Sequence, residues 1–478
     1  MAVYVVYDYF QRTAKGSLMN RFKIYLKKIS NGSFTTNYEF SDEEISDIHL
    51  STGTMIGAEE LPVGELTFVL RTDEDIVPAN YWVQFTYYGG SGVFYQVVSI
   101  KRRDAEFYDV TAQSALRMLD NIILPAKYYN NTAVTTVLGD LHTAVSQSVG
   151  INTVWVTRSI PVTVLPIWGY FPEQTARERL QWICFVARLR IITIGITYPL
   201  LIDGIPSQAL ATNTKVYQKP QIYQRPSVVA NDAKKVSIEV YYFDPVSTSN
   251  IGTVDDWVEA DNTYYLKNAL FNTPVQTGDN NINITDIYIV NENNILHGFP
   301  AYVRPLYEGE RYTATLSVKL NNIGDLVEGD HITFGVAHGF ESTAGSMLYA
   351  GNIGSMDLTF GFSGVKADII VPFAETVDAY FLTLFYQENN TILDQDRMAF
   401  HSGAQYSVAL PQAFDKLSGN VVKVYCDHDN ETASGTITLD TDLIFQYTEV
   451  LEFDVNVKSL LILDTDGATI SSGVVSIE

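Results

Sequence analysis

YTATLSVKL, from Tyr312 to Leu320, sets Tyr312, Ala314, Leu316, Val318 and Leu320 against Thr313, Thr315, Ser317 and Lys319. Successive side chains of an extended chain point to opposite faces. This strict alternation therefore predicts a strand with one buried face and one wet face. The same period recurs outward along the chain. RFKIYLKKI alternates Phe22, Ile24 and Leu26 with Lys23, Tyr25 and Lys27, and GELTFVL aligns Leu66, Phe68 and Leu70. KKVSIEVYYF does the same with Val236, Ile238 and Val240. Turn clusters such as GGSG at Gly89–Gly92 and TGDNN near Gly278 separate these runs.

Helical period is confined to a few places. Val134, Val137, Leu138, Leu141, Val145 and Val149 share one helical face, and Gly150 is a natural stop. Thr175 and Glu178 have capping-box spacing at the head of a second helix, with Ala176, Leu180, Ile183, Cys184 and Ala187 on its apolar face. A short third helix is expected after Thr111, with Ala115, Leu116 and Leu119 inward.

The expected fold is mainly β with a small α/β domain. Proline-containing breaks at Leu124–Pro125 and in QKPQIYQRPS (Gln218–Ser227), which reads as a linker, suggest the boundaries. A fresh all-β pattern begins after IIVPFAET. These breaks give an N-terminal β domain (1–125), an α/β domain (126–222), a second β domain (223–371) and a C-terminal β-sandwich (372–478).

Composition narrows the partners. The 478 residues include 55 acidic and 31 basic side chains, a formal net charge of -24, which repels phosphate backbones and anionic membranes. Sequence reading of nucleic acid and membrane insertion are therefore not expected. The most apolar stretch, Ile191–Ile202, is too short to span a bilayer and contains Pro199. MAVYVVYDYF lacks the basic start and apolar run of a secretory signal. Two cysteines, Cys184 and Cys426, form no disulfide framework and read as small buried hydrophobes. Together these features suggest a soluble chain made in a reducing compartment. The 30 tyrosines and 24 phenylalanines suit half-buried strands and protein interfaces, as in a part that assembles with others.

No catalytic constellation survives inspection. HExxH, Walker, GxGxxG and GxSxG patterns are absent. His428 between Asp427 and Asp429 suggests a metal site only superficially, because alternate side chains of a strand diverge. DTDG at Asp464 resembles the start of a calcium loop, but the twelfth position is Val475 rather than a bidentate Glu. The acidic pairs Glu43–Glu44, Glu59–Glu60 and Asp255–Asp256 read as solvated faces. No catalytic, metal-binding or cofactor-binding residue is assigned, no cofactor is expected, and the chain is not expected to be an enzyme.

The stretch YEFSDEEISDIHLSTGTMIGAEELPVGELTFVL (Tyr38–Leu70) resembles the N-terminal domain of tail-tip hub proteins from phages and related particles of Gram-positive hosts. Further phrases continue the resemblance in order. They are Tyr81–Gln84, Phe94–Val98, YDVTAQSALRMLDN, Val134–Val149, ARERLQWICFVARLRI, TYYLKNALFNTPV and GDLVEGDHITFGV. The match spans roughly residues 15–370. One departure is ILHGFPAYVRPLYEGERY (Ile295–Tyr312), where the family usually has a helix and this chain carries Gly298, Pro300 and Pro305. Whether residues 291–311 are helical is left open.

The resemblance implies a homotrimer in the virion tail, made in the host bacterial cytoplasm. Two β-barrel-like hub domains per subunit would form a six-fold-like ring continuing the tail tube, with the α/β domain projecting. Implied partners are the tail tube or distal tail ring protein, the tape-measure protein and fibre or spike proteins. DNA would pass through without sequence recognition. A trimer this acidic further suggests a lumen with more acidic than basic side chains, and with Lys23, Lys27, Lys28, Arg102 and Arg103 facing neighbours or solvent.

Two other classes compete with a structural hub. A receptor- or carbohydrate-binding tail protein would act through its C-terminal β module, where Tyr380, Phe381, Phe385 and Tyr386 would stack on sugars. Their strand-like run favours core packing instead. A cell-wall hydrolase would need a nucleophile–base or metal-ligand set, which the sequence lacks.

Overall fold

A computed structural model describes residues 21–476 with interruptions, the longest at 247–256, 336–347 and 410–419, and describes side chains as far as residue 376. The N-terminal region is an antiparallel meander. Phe22–Ser30 (β1) turns through Asn31 and Gly32, both at positive φ, into Ser33–Ser41 (β2). An Asn-Gly pair in that conformation matches the twist of the strands it joins. Ile45–Gly53 (β3), Glu65–Arg71 (β4), Trp82–Tyr87 (β5), Gly92–Arg102 (β6) and Phe107–Gln113 (β7) follow. Their spatial order is β2-β1-β5-β6-β7-β4-β3.

The sheet continues past β3 into the second β region. Ser355–Gly361 pairs antiparallel with β3, with Met356 opposite Thr52 and Leu358 opposite Leu50. Beyond it lie Gly364–Val377, Leu348–Asn352, His331–Gly335 and Lys215–Tyr217. Tyr312–Leu320 branches from Gly364–Val377 and carries Ile222–Ala230 on its other edge. The described pairings follow an open, branched path, and no closed barrel occurs among them.

Burial follows the alternation. Ile24, Leu26, Leu66, Phe68 and Leu70 share one core with Ala314, Leu316, Val318, Leu320, Leu358 and Ile369. Residues as far apart in the sequence as Ile24 and Ile369 thus fill a single interior, which couples the stability of the two β regions.

Residues 218–221 of the expected linker lie outside the described residues, but its second half is part of a strand. Ile222–Ala230 pairs, among the described residues, with Tyr312–Leu320 alone, and its register shifts between Gln224 and Ser227. Pro226 therefore sits at an irregularity on an edge, where a missing N–H breaks no ladder.

A second core belongs to the helical part. Val134–Val149 and Ala176–Ala187 bury the faces that their spacing marks, and the short helix Leu116–Leu119 buries Leu116, Met118 and Leu119. Thr175 closes a full capping box with Glu178. Val236, Ile238 and Val240 pack into this same core from the strand Lys235–Val246, which belongs to a separate four-stranded sheet.

The segment left open by the sequence is helical over Gly298–Tyr307. Pro300 falls in the first turn, where no N–H is needed. Pro305 removes one hydrogen bond near the end. Burial of Val303 and Tyr307, one turn apart, holds the helix on the second core.

The C-terminal region forms two four-stranded antiparallel sheets. One is Thr391–Phe400, Tyr380–Glu388, Asn420–His428 and Glu431–Leu439. The other is Gln405–Ala409, Ile444–Thr448, Val457–Leu463 and Thr469–Ser476. The fold class expected from the sequence, mainly β with antiparallel sheets and a small α/β portion, is the one observed.

Candidate functional site at the junction of the β regions

Where β3 meets Ser355–Gly361, the helical part also reaches the seam. Leu189–Ile192 runs from the helix Ala176–Ala187 past the end of β3, and Thr193 leads into Ile194–Ile196, which pairs with β6. From the other β region comes the turn before His331–Gly335, carrying Glu328, Gly329 and Asp330. Thr52 from β3 and Thr54 just beyond its end complete the meeting point, and the amide of Thr54 donates to the carbonyl of Gly354 at 2.8 Å.

The junction is polar and buried. Thr193 donates to Oε1 of Glu328 through its amide at 3.0 Å and its hydroxyl at 2.6 Å. The Thr52 hydroxyl donates to the same oxygen. The Tyr95 hydroxyl lies 2.8 Å from that of Thr193. Arg190 donates to the backbone carbonyl of Glu328 at 3.0 Å, to Asp330 at 2.7 Å and to Asp203 at 3.2 Å. Asp203 also takes the more exposed Arg158 at 2.8 Å. Gly329 has φ +74°, and a Cβ there would lie 2.8 Å from Cδ of Arg190, so the turn closes over the guanidinium only with glycine.

Burial sets the charge states. It pushes the Glu328 carboxyl up, against the pull of the threonine hydrogen bonds. It also pushes up the Tyr95 phenol, to which the Glu328 charge adds. Chemically the cluster is a fastener. It buries polar groups that can find partners only when three segments meet, and the described side chains present no nucleophile to solvent there.

Sequence reading did not single out this cluster, since Glu328 in GDLVEGD looks like a solvated turn residue. The residues it did weigh lie elsewhere. Glu44 accepts the amide of Ser41 at 2.9 Å in a local turn. Cys184 is buried and its thiol is pushed up to about 12, which removes thiolate reactivity. Asp427 and His428 lie in a strand. Gly92 opens β6. Gly89–Ser91, Glu59, Asp255–Asp256, Asp429 and the loop beginning at Asp464 lie outside the described residues, as do the side chains of Tyr380, Phe381, Phe385, Tyr386 and Cys426. Among the described residues there is no group of three or more potential metal ligands. No described helix is long and apolar enough to cross a membrane.

The five basic residues singled out in the sequence have local partners. Lys23 pairs with Glu39, Arg102 with Asp75 and Arg103 with Asp109. The Lys27 ammonium lies over the rings of Tyr25 and Phe94, and that of Lys28 lies over Tyr81.

No family profile and no curated protein matches the chain. Among solved structures it is similar to the 43 kDa tail protein of prophage MuSo2 from Shewanella oneidensis, with a TM-score of 0.41 and 11% identity over 73% of this chain and 98% of that one. It is similar to a tail protein from Neisseria meningitidis MC58, with a TM-score of 0.42 and 11% identity over 74% and 96%. It is also similar to an E. coli type VI secretion component, itself described as structurally similar to T4 bacteriophage tail proteins, with a TM-score of 0.37 and 8% identity over 91% and 96%.

Proposed function

We propose that this chain is a non-catalytic structural hub of a phage-type tail tip or baseplate. Three copies form a ring that continues the tail tube, anchors tip or fibre proteins and leaves a channel for DNA or the tape-measure protein. The observation that carries this reading is the pairing of β3 with Ser355–Gly361, which joins the two β regions into one sheet over one core. A helical body lies between those regions in sequence and is fastened at their seam. That arrangement suits a hub subunit: two β regions share one sheet, and the helical body packs against them through a core that includes Trp82 and Phe94. The ordered phrases shared with hub proteins between Tyr38 and Val336 support the same reading. The inert state of Cys184 fits a structural role.

The direct test is the mass of the full chain in solution, by light scattering across a concentration series. A species of three times the 53.4 kDa chain supports the ring. A monomer at every concentration that binds purified host glycans would replace the hub by the receptor-binding alternative.

A further inference from the structure

Glu328 is fully buried, yet no ion pair to its carboxylate occurs among the described residues. Three hydrogen bonds converge on Oε1, from Thr52 and twice from Thr193, while Oε2 is buried without a hydrogen-bond partner. The neighbouring guanidinium, Arg190, is directed to Asp330, to Asp203 and to the Glu328 backbone carbonyl. A buried carboxylate without a counter-ion is costly when charged. This one also holds together chain segments far apart in sequence.

We propose that Glu328 is a proton-operated latch. Neutral, it fastens the segment Leu189–Ile196 of the helical part to β3 and to its own turn. Ionised, it loosens that junction while leaving the two cores folded.

Burial favours the neutral form, while the hydrogen bonds from Thr52 and Thr193 pull the other way, and among the described residues the neighbouring elements supply no counter-ion. β3 and the residue beyond it contribute Thr52 and Thr54, which carry no charge, and β6 contributes Tyr95, whose phenol burial keeps neutral. Leu189–Ile192 contributes Arg190, already shared between two carboxylates. Leu200–Gly204 contributes Asp203, and the turn itself contributes Asp330 followed by the buried His331. Two carboxylates near Arg190 leave little positive field for a third. An isolated anion at Oε2 would draw in water or swing outward, and Thr193 would lose both of its bonds to Oε1.

The folded carboxyl lies above its ordinary value of 4.5. The stabilisation from the latch is therefore complete below that ordinary value and is lost as pH rises through the raised folded value. Between the two, opening of the junction should increase about tenfold per pH unit.

The test is amide hydrogen exchange of the full chain across this range, corrected for the base-catalysed chemical rate, in wild type and Glu328→Gln. Gln keeps the acceptor oxygen and cannot ionise. In wild type, opening at residues 189–196 and 324–331 should climb with pH while β4 and the helix Val134–Val149 stay protected. In Glu328→Gln the climb should disappear. Thr52→Val, which removes one donor to the anion, should extend the wild-type climb to higher pH. Equal pH dependence in wild type and Glu328→Gln would overturn the latch, as would loosening spread evenly over the chain. Should Glu328→Gln fail to fold, a Thr52→Val profile identical to wild type would overturn it as well. None of these outcomes depends on whether the chain is a tail hub.

Discussion

At the residue scale the chain is governed by burial, and two residues show its opposite uses. Leu180 is fully buried in the second core beside Ile183 and Cys184. Leu180→Asp would place an unpaired charge there, at a cost on the order of 3 kcal/mol or more. Chemical denaturation should show this as a large fall in midpoint, whereas an unchanged midpoint would mean that the helix does not pack as described. Leu180 was legible in the sequence because its neighbours at helical spacing are apolar. Glu328 was not. Its burial arises from chain segments that lie 135 and 276 residues away, at Thr193 and Thr52, and no local pattern encodes such distances. The glycines on either side, Gly324 and Gly329, both have positive φ and were the one local hint that the turn is tight.

At the scale of elements, what could be read depended on whether the deciding interaction was local. The capping box at Thr175 and Glu178 is such an interaction, and it is present with both hydrogen bonds formed. Thr175→Ala should cost about 1 kcal/mol, because one of the orphan amides of the first turn loses its acceptor. Equilibrium denaturation should read this loss, and a neutral result would show that water replaces the cap without penalty. Alternation likewise marked Phe22–Ser30, Glu65–Arg71 and Tyr312–Leu320 as strands, since one-sided burial imposes period two. What local pattern missed or left open is tertiary. Pro226 made residues 222–227 read as part of a linker, and its edge position at a register shift explains how it fits a strand. Gly298, Pro300 and Pro305 left the state of residues 291–311 open, and Val303 and Tyr307 hold a helix there through contacts with the second core.

At the scale of the whole molecule, the decisive feature is the pairing of β3 with Ser355–Gly361. Alternation gives the faces of those strands but not their partners. A reading by segments therefore does not reveal that strands from the two β regions share one sheet and one core. Such a sheet resists bending between its halves, which would suit a subunit of the proposed ring. The acidic excess would give that proposed ring a further property. With a formal net charge of -24 per chain, a lumen lined mainly by acidic and neutral polar groups would let DNA pass without binding it. Lys23, Arg102 and Arg103 already pair with carboxylates of their own sheet, which neutralises part of the basic surface. One measurement tests the central claim most directly: a subunit-resolution electron cryomicroscopy map of the assembled particle. The account predicts three copies in a closed ring, coaxial with the tail tube, around a lumen with more acidic than basic side chains. A single peripheral copy on a fibre, or a ring with no lumen or one lined by Lys and Arg, would contradict it.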